Sequence, residues 1–364
     1  MMLIPDIDTP ALLVDFSVLQ TNIISMARRI NGAGLRLRPH AKTHKTIEIA
    51  RMQLDAGASG ITVAKIGEAE VMADAGMDDI LIANQIAGPA KIERLRALAR
   101  RVSVAVAVDS VDIAAPLSAA FAAQGMRLPV LLEVDVGAHR CGVAPDAAES
   151  LAEQLIMMPG IDLVGLLTYP GHAYDARSPE EVAGIAEHEC RVASDLCRRL
   201  SRFADLSGWV SGGTTPTSAY YRLGCGITEV RAGSYVFRDR AAHDAWSAQP
   251  SECALTVLAT VINVRQGVSA VIDAGLKAVG NDLVPRSTGL GMLKKDNAAV
   301  ITKLYEEHSI LDLSGATVRL RPGDKVEVIV NSAGTVVNLF DEMHVVENGE
   351  VVDVWRIAAR GRSR

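Results

Sequence analysis

Between residues 35 and 237 short apolar runs alternate with stretches of helical character, and no other feature restricts the fold of this chain as strongly. The runs at 35–40, 60–64, 80–84, 102–108, 128–134, 163–167 and 206–210 read as strands, and 228–237 holds an eighth. Helical spacing or helix punctuation separates most neighbours: a proline lies in the first turn of 89–101 and of 145–158, and glycines close the stretches that end at Gly76 and Gly125. Eight strands recurring every few tens of residues are the pattern of a (β/α)8 TIM-type barrel, which needs about 200–250 residues. An open doubly wound sheet shows the same alternation, usually with fewer strands. The expected class is therefore α/β, with a barrel over 16–240.

Beyond Arg240 the texture changes. Val-rich runs at 254–264, 268–273, 318–320, 325–330 and 343–352 read as strands, and turns such as Arg321-Pro-Gly-Asp and Glu347-Asn-Gly-Glu separate them. This predicts a C-terminal antiparallel β domain over 241–364. The strand-like Thr9-Pro-Ala-Leu-Leu-Val-Asp15 places residues 1–15 with it. A chain of 364 residues has room for both parts. Its formal net charge is −6 and it holds no run of Lys or Arg, so no nucleic-acid partner is expected. No apolar segment reaches the roughly 18 residues a membrane span requires. The first residues carry no basic region leading into an apolar run, so no secretion signal is expected. The five cysteines form no CxxC pair, which suggests neither a zinc site nor a disulfide framework. A cytoplasmic location follows as the default.

In a barrel, the residues that follow the strands share one mouth, and ligands bind there. After the first strand comes Arg38-Pro39-His40-Ala41-Lys42-Thr43-His44-Lys45. It reads either as a solvated basic loop or as the place where a desolvated lysine forms a Schiff base with a carbonyl cofactor. Lys65, Asn84 with Gln85, and Asp109 follow the next three strands. The fifth leads into Asp135-Val-Gly-Ala-His-Arg140-Cys-Gly142 and the sixth into Tyr169-Pro-Gly-His172. Ser211-Gly212-Gly213-Thr214-Thr215 follows the seventh, and Arg231-Ala-Gly233-Ser234-Tyr235 the eighth. Two glycine- and hydroxyl-rich loops after the last two strands suit a phosphate. With a lysine after the first strand, they describe a cofactor with a phosphate at one end and a carbonyl at the other. Pyridoxal 5'-phosphate (PLP) fits.

These stretches resemble the alanine-racemase-like, fold-type III PLP enzymes. Within that group the chain is similar to the D-threonine aldolase, D-serine dehydratase and 3-hydroxy-D-aspartate aldolase family. Besides the loops above, Ile272-Asp-Ala-Gly-Leu-Lys277, Glu306-Glu-His308, Val337-Asn-Leu-Phe-Asp-Glu342 and Ala359-Arg-Gly carry the likeness, which runs nearly end to end. The resemblance implies that Lys42 carries PLP and acts as a base at the substrate α-carbon. It implies that Ser211, Gly213, Thr214, Gly233, Ser234 and Tyr235 line the phosphate end. Arg231 would face the pyridine nitrogen and Tyr169 would pack on the cofactor, unless Tyr169 is an ordinary core residue. Arg140 would lie near the cofactor or a substrate carboxylate, unless it pairs with Asp135 or Glu133. His44 and His172 are candidates for a second acid–base group, or are structural histidines. A homodimer is expected.

One stretch departs from the family. Most of these lyases carry a histidine followed by a cysteine or aspartate that bind a divalent metal. Here Ser332 and Gly334 occupy those positions, and neither is a good metal ligand. The expected activity is a PLP-dependent lyase acting on D-β-hydroxy-α-amino acids without the usual metal. A PLP-dependent racemase or epimerase is the alternative, and a non-catalytic PLP-binding protein the third reading.

Overall fold

A computed structural model of the chain describes residues 2–284 and 286–364. The chain divides into two compact units, one of Ser25–Lys42, Ala50–Gly233 and Arg362–Arg364, the other of Met1–Ile24, Thr43–Ile49 and Ser234–Gly361.

The first unit is built on eight parallel strands. Their order is Arg36–Leu37, Glu229–Val230, Val210–Gly212, Ile161–Thr168, Leu128–Val134, Ser103–Val108, Asp79–Ile82 and Ile61–Val63. His40, three residues beyond Arg36–Leu37, makes an isolated parallel bridge with Thr62 of the last strand in that list. Helices Ile47–Asp55, Ile66–Asp74, Pro89–Ala99, Val111–Ala122, Ala148–Ile156 and Pro179–Leu200 fall between strands, as the alternation predicts. Ser110 and Ser178 start two of them by accepting the amides of Ile113 and Glu181. The strands are apolar because both faces are covered. One face gathers Leu81, Ala105, Ala107, Leu131 and Leu167, with Trp209 packed against them.

The seventh strand is not 206–210 but Val210–Gly212. Ser211 and Gly212, read from the sequence as loop, pair with Glu229 and Val230. A side chain at Gly212 would collide with Glu189 and Thr168, each 2.6 Å from an added Cβ. The glycine that hides this strand from a hydrophobicity count is required by its packing.

Ten strands make up the sheet of the second unit. Ala11–Asp15 joins it, antiparallel to Leu255–Arg265 and parallel to Glu342–Glu347, so the sheet is not purely antiparallel. The run at 343–352 is two strands, Glu342–Glu347 and Glu350–Arg356, joined by a turn with Asn348 at φ 52°. The stretch 318–320 is not a strand, whereas Gly291–Leu293, Val300–Leu304 and Ser309–Asp312 are. These three are only three to five residues long, too short for an alternating pattern to stand out in the sequence. Among the described residues, no helix is long and apolar enough to cross a membrane.

Candidate active site

Lys42 sits in the short turn Ala41–Thr43 that follows the first parallel strand. The turn is held from below. The amides of Arg38 and His40 donate to the carbonyls of Val230 and Ala232, and the Pro39 carbonyl accepts the amide of Thr62. Lys42 itself is exposed, yet protein surrounds its ammonium on the remaining sides. That enclosure, then the charges of Arg140 and Arg231, push its pKa down to about 8, with Glu68 opposing. The ammonium lies 5.7 Å from the centroid of the Tyr169 ring. The Arg140 guanidinium stacks on the same ring at 4.5 Å. Arg140 is thus beside the lysine rather than spent on Asp135, whose carboxylate turns to His139 at 2.8 Å.

Arg231 is buried under this group. Its Nη2 donates to the Thr168 carbonyl at 2.6 Å, and its Nη1 is buried with no partner. Burial lowers its pKa, against the charges of Glu229, Glu133 and Glu189. Glu133 accepts from Gln85, which also donates to Asp109 at 3.1 Å. Burial raises the pKa of Glu133.

The glycine loop differs from what its composition suggests. The Gly213 amide donates to Glu189 on the helix Pro179–Leu200 at 3.0 Å and the Thr214 amide to Thr217 Oγ1 at 2.9 Å, so both donors are already taken. The Thr214 hydroxyl lies 3.0 Å from Thr217 Oγ1. Ser211 is fully buried and donates to Glu229 at 2.6 Å, which turns it into the sheet interior. Gly233 ends the first unit, and Ser234 and Tyr235 begin the next segment of the second. Tyr235 is almost wholly buried.

The two histidines part company. His172 packs over Gly137, where an added Cβ would meet its ring at 3.1 Å. Its Nδ1 is buried without a partner, and burial lowers its pKa. His44 is fully buried, its Nδ1 accepts the Thr46 amide at 3.1 Å, and it belongs to the second unit. In that unit Ser332 precedes the helix Ala333–Val337, with its hydroxyl 3.2 Å from Thr335 Oγ1. Gly334 backs onto Thr43. Among the described residues, no cluster of three or more His, Cys, Asp or Glu side chains is arranged to hold a metal.

Glu189 and Tyr221 are the site residues that sequence reading passed over. The signal was present for Glu189: on Pro179–Leu200 it falls in line with Val182, Ala186, Ala193 and Leu196, a carboxylate in an apolar stripe.

Comparison with known proteins adds a second line of evidence. Residues 14–241 match the family model described as alanine racemase, N-terminal domain, and residues 254–346 match a putative serine dehydratase domain. A D-threonine aldolase of Arthrobacter sp. is 33% identical over 361 residues, covering 98% of this chain and 94% of that protein. The crystal structure of D-threonine aldolase from Filomicrobium marinum superposes with a TM-score of 0.91 at 31% identity, over 100% of this chain and 98% of that one. D-threo-3-hydroxyaspartate dehydratase from Delftia sp. HT23 superposes with a TM-score of 0.89 at 33% identity, over 98% and 99% of the two chains.

Proposed function

The chain belongs to the alanine racemase N-terminal domain family, alongside its D-threonine aldolase and dehydratase relatives, and on that premise we propose that it is a PLP-dependent lyase of D-β-hydroxy-α-amino acids. One observation carries the reading: a lysine whose pKa falls to about 8 stands beside a stacked Tyr169–Arg140 pair, near a buried arginine with an unused N–H. A neutral amine attacks a carbonyl, and a lysine at about 8 supplies that amine near neutral pH far more readily than an ordinary one.

The residues present fit PLP. Arg231 Nη1 is a buried donor that lacks an acceptor, and the unprotonated pyridine nitrogen is one. Lys42 would hold the carbonyl carbon and Tyr169, whose ring lies 5.7 Å from the Lys42 ammonium, would pack on the cofactor ring. In the first unit the Thr214 hydroxyl and Gly233 would be left to hold the phosphate, since the Gly213 and Thr214 amides are engaged elsewhere. Bound there, PLP supplies an electron sink for the substrate α-carbon. Arg231 would donate to the ring nitrogen rather than protonate it, and so would keep that sink moderate. Lys42 Nζ takes and returns a proton at the α-carbon, and Arg140 receives the substrate carboxylate. Cleavage of Cα–Cβ also needs a base for the β-hydroxyl proton. His172 is the candidate: burial keeps it neutral, and its Nδ1 has no other partner.

The eight parallel strands form a closed (β/α)8 barrel in this reading, supported by the His40–Thr62 bridge, with 16–240 as the cofactor-binding domain and 241–364 plus 1–15 as the β domain. The protein works as a homodimer, because a single barrel mouth leaves PLP open to water. Ser332 and Gly334 offer no ligand set for a divalent ion, so no step is assigned to one. The same pair favours a second reading, a racemase, since inversion at the α-carbon needs no help for a hydroxyl. Incubation with D-threonine, D-serine, D-3-hydroxyaspartate and D-alanine, followed by product and chirality analysis, separates the readings. Aldehyde or ketoacid release supports the lyase; loss of optical purity alone contradicts it.

A further inference from the structure

The carboxylate of Glu189 lies in the interior of the first unit, fully buried, with donors on every side. Thr168 Oγ1 donates to its Oε1, as does the Gly213 amide at 3.0 Å, and the Tyr221 hydroxyl donates to its Oε2. All three partners give a hydrogen and none needs one. An ionised carboxylate accepts from all three at once, whereas an amide has one accepting oxygen, so the Tyr221 hydroxyl would have to stop donating to residue 189 and turn its hydrogen to Thr217 Oγ1. Burial raises the pKa of Glu189, and these three bonds and the nearby charge of Arg231 work against that rise.

What the three donors belong to gives the network its meaning. Thr168 is the residue whose carbonyl anchors Arg231. Gly213 opens the loop after the seventh strand. The Tyr221 oxygen lies 2.7 Å from Thr217 Oγ1, the atom that takes the Thr214 amide. Both loop glycines answer to this network. A Cβ on Gly212 would stand 2.6 Å from Glu189 Oε1, and one on Gly213, at φ +79°, 2.8 Å from the Tyr221 ring. Their lack of side chains makes room for a buried carboxylate and its tyrosine, not for a ligand.

We propose that Glu189 is a positioning residue that fixes the two ends of the cofactor site at once, Arg231 through Thr168 and the glycine loop through Gly213 and Tyr221. The proposal rests on the assignment of the site to PLP. Touching no reacting atom, Glu189 acts by holding the groups that do. The test titrates apoprotein with PLP by absorbance, for wild type, Glu189→Gln and Thr168→Val, alongside circular dichroism and thermal melts. Glu189→Gln is expected to fold, to bind PLP at least tenfold more weakly, and to shift the absorption maximum of the bound cofactor, because Arg231 loses its fixed pose. Thr168→Val cuts only the branch toward Arg231; it should show the same spectral shift with a smaller loss of affinity. A residue needed only for stability would lower the melting temperature and leave affinity and spectrum alone. Wild-type affinity and spectrum in both variants overturn the proposal, as does a wild-type spectrum in Thr168→Val should Glu189→Gln not fold. Wild-type protein that takes up no PLP overturns the functional reading first, and this inference with it.

Discussion

Two buried arginines reach into the interior of the same parallel sheet, and they are held in opposite ways. Arg38 is saturated. Its Nε meets Glu229 at 2.9 Å, and its Nη1 and Nη2 meet Asp79 at 2.7 and 3.0 Å. Glu229 is completed by Ser211 at 2.6 Å and Trp209 Nε1 at 2.8 Å. Burial alone would raise the pKa of Glu229, but Arg38 and these donors hold it below the ordinary value. Arg231, two residues beyond Glu229, has one carbonyl and an Nη1 with nothing to bond. An unmatched buried polar atom costs about 1–3 kcal/mol, and Arg240 Nη1 and His344 Nδ1 are left open as well. What sets Arg231 apart is the place of its open donor, close to the charge of Lys42 and of Arg140 with its stacked tyrosine.

The largest effect separates the mouth from the fold altogether. Lys42→Ala should remove covalent cofactor attachment and lower turnover by at least the roughly 10²–10⁴-fold that a placed acid–base group contributes. Its melting temperature should not fall, and should rise below pH 8, where the charged lysine is disfavoured in the folded protein. Steady-state kinetics beside a thermal melt checks both.

The arginines themselves give the next contrast. Arg38→Met strands Glu229 as an unpaired buried charge and should destabilise the protein by about 3–5 kcal/mol, seen in denaturant unfolding. Adding Glu229→Gln should return part of that loss. Arg231→Met removes a charge that is only half satisfied. It should leave stability nearly unchanged while altering the spectrum of the bound cofactor and the balance of reactions at the α-carbon. Equal stability losses in the two variants would erase the distinction between them.

This contrast also explains what could be read in advance. Strands such as Ser103–Val108 and Leu128–Val134 were legible because helix and sheet cover both sides and every position is apolar. Lys42, Tyr169 and Arg140 were legible because strand ends converge once the alternation is known, and contact at one ring follows. Ser211 misled, since a serine in a glycine loop looks like a phosphate ligand until Glu229 is seen to claim it. Gly213 misled in the same way. Glu189 was hidden among Glu180, Glu181 and Glu187 on a helix whose other acids face solvent. Which acid is buried depends on the turn phase of that helix, which the stripe of Val182, Ala186, Ala193 and Leu196 marks and the count of strand ends does not.

A smaller effect probes the electrostatics of the mouth. Because Lys42 has a lower pKa folded than the ordinary 10.5, the unfolded chain binds more protons between about 8 and 10.5. The strain Lys42 places on the fold is therefore relieved as pH rises through that window. For the same reason, the rate at which apoprotein captures PLP should rise with pH around a midpoint near 8. Arg140→Gln removes the larger of the two repelling charges and should move the midpoint upward. A stopped-flow pH profile of both proteins measures it.

The smallest expected effect is none. Cleavage of D-threonine should be the same before and after treatment with EDTA, because Ser332 and Gly334 stand where a ligand pair would be needed. A stoichiometric metal whose removal abolishes cleavage would mean that other side chains hold an ion there.

The most direct measurement is the site of covalent attachment. Protein loaded with PLP, reduced with borohydride and digested should carry the cofactor on the peptide containing Lys42 and on no other. Attachment at Lys45 or Lys65, or a colourless protein that traps no PLP, would contradict the reading of this mouth as the active site.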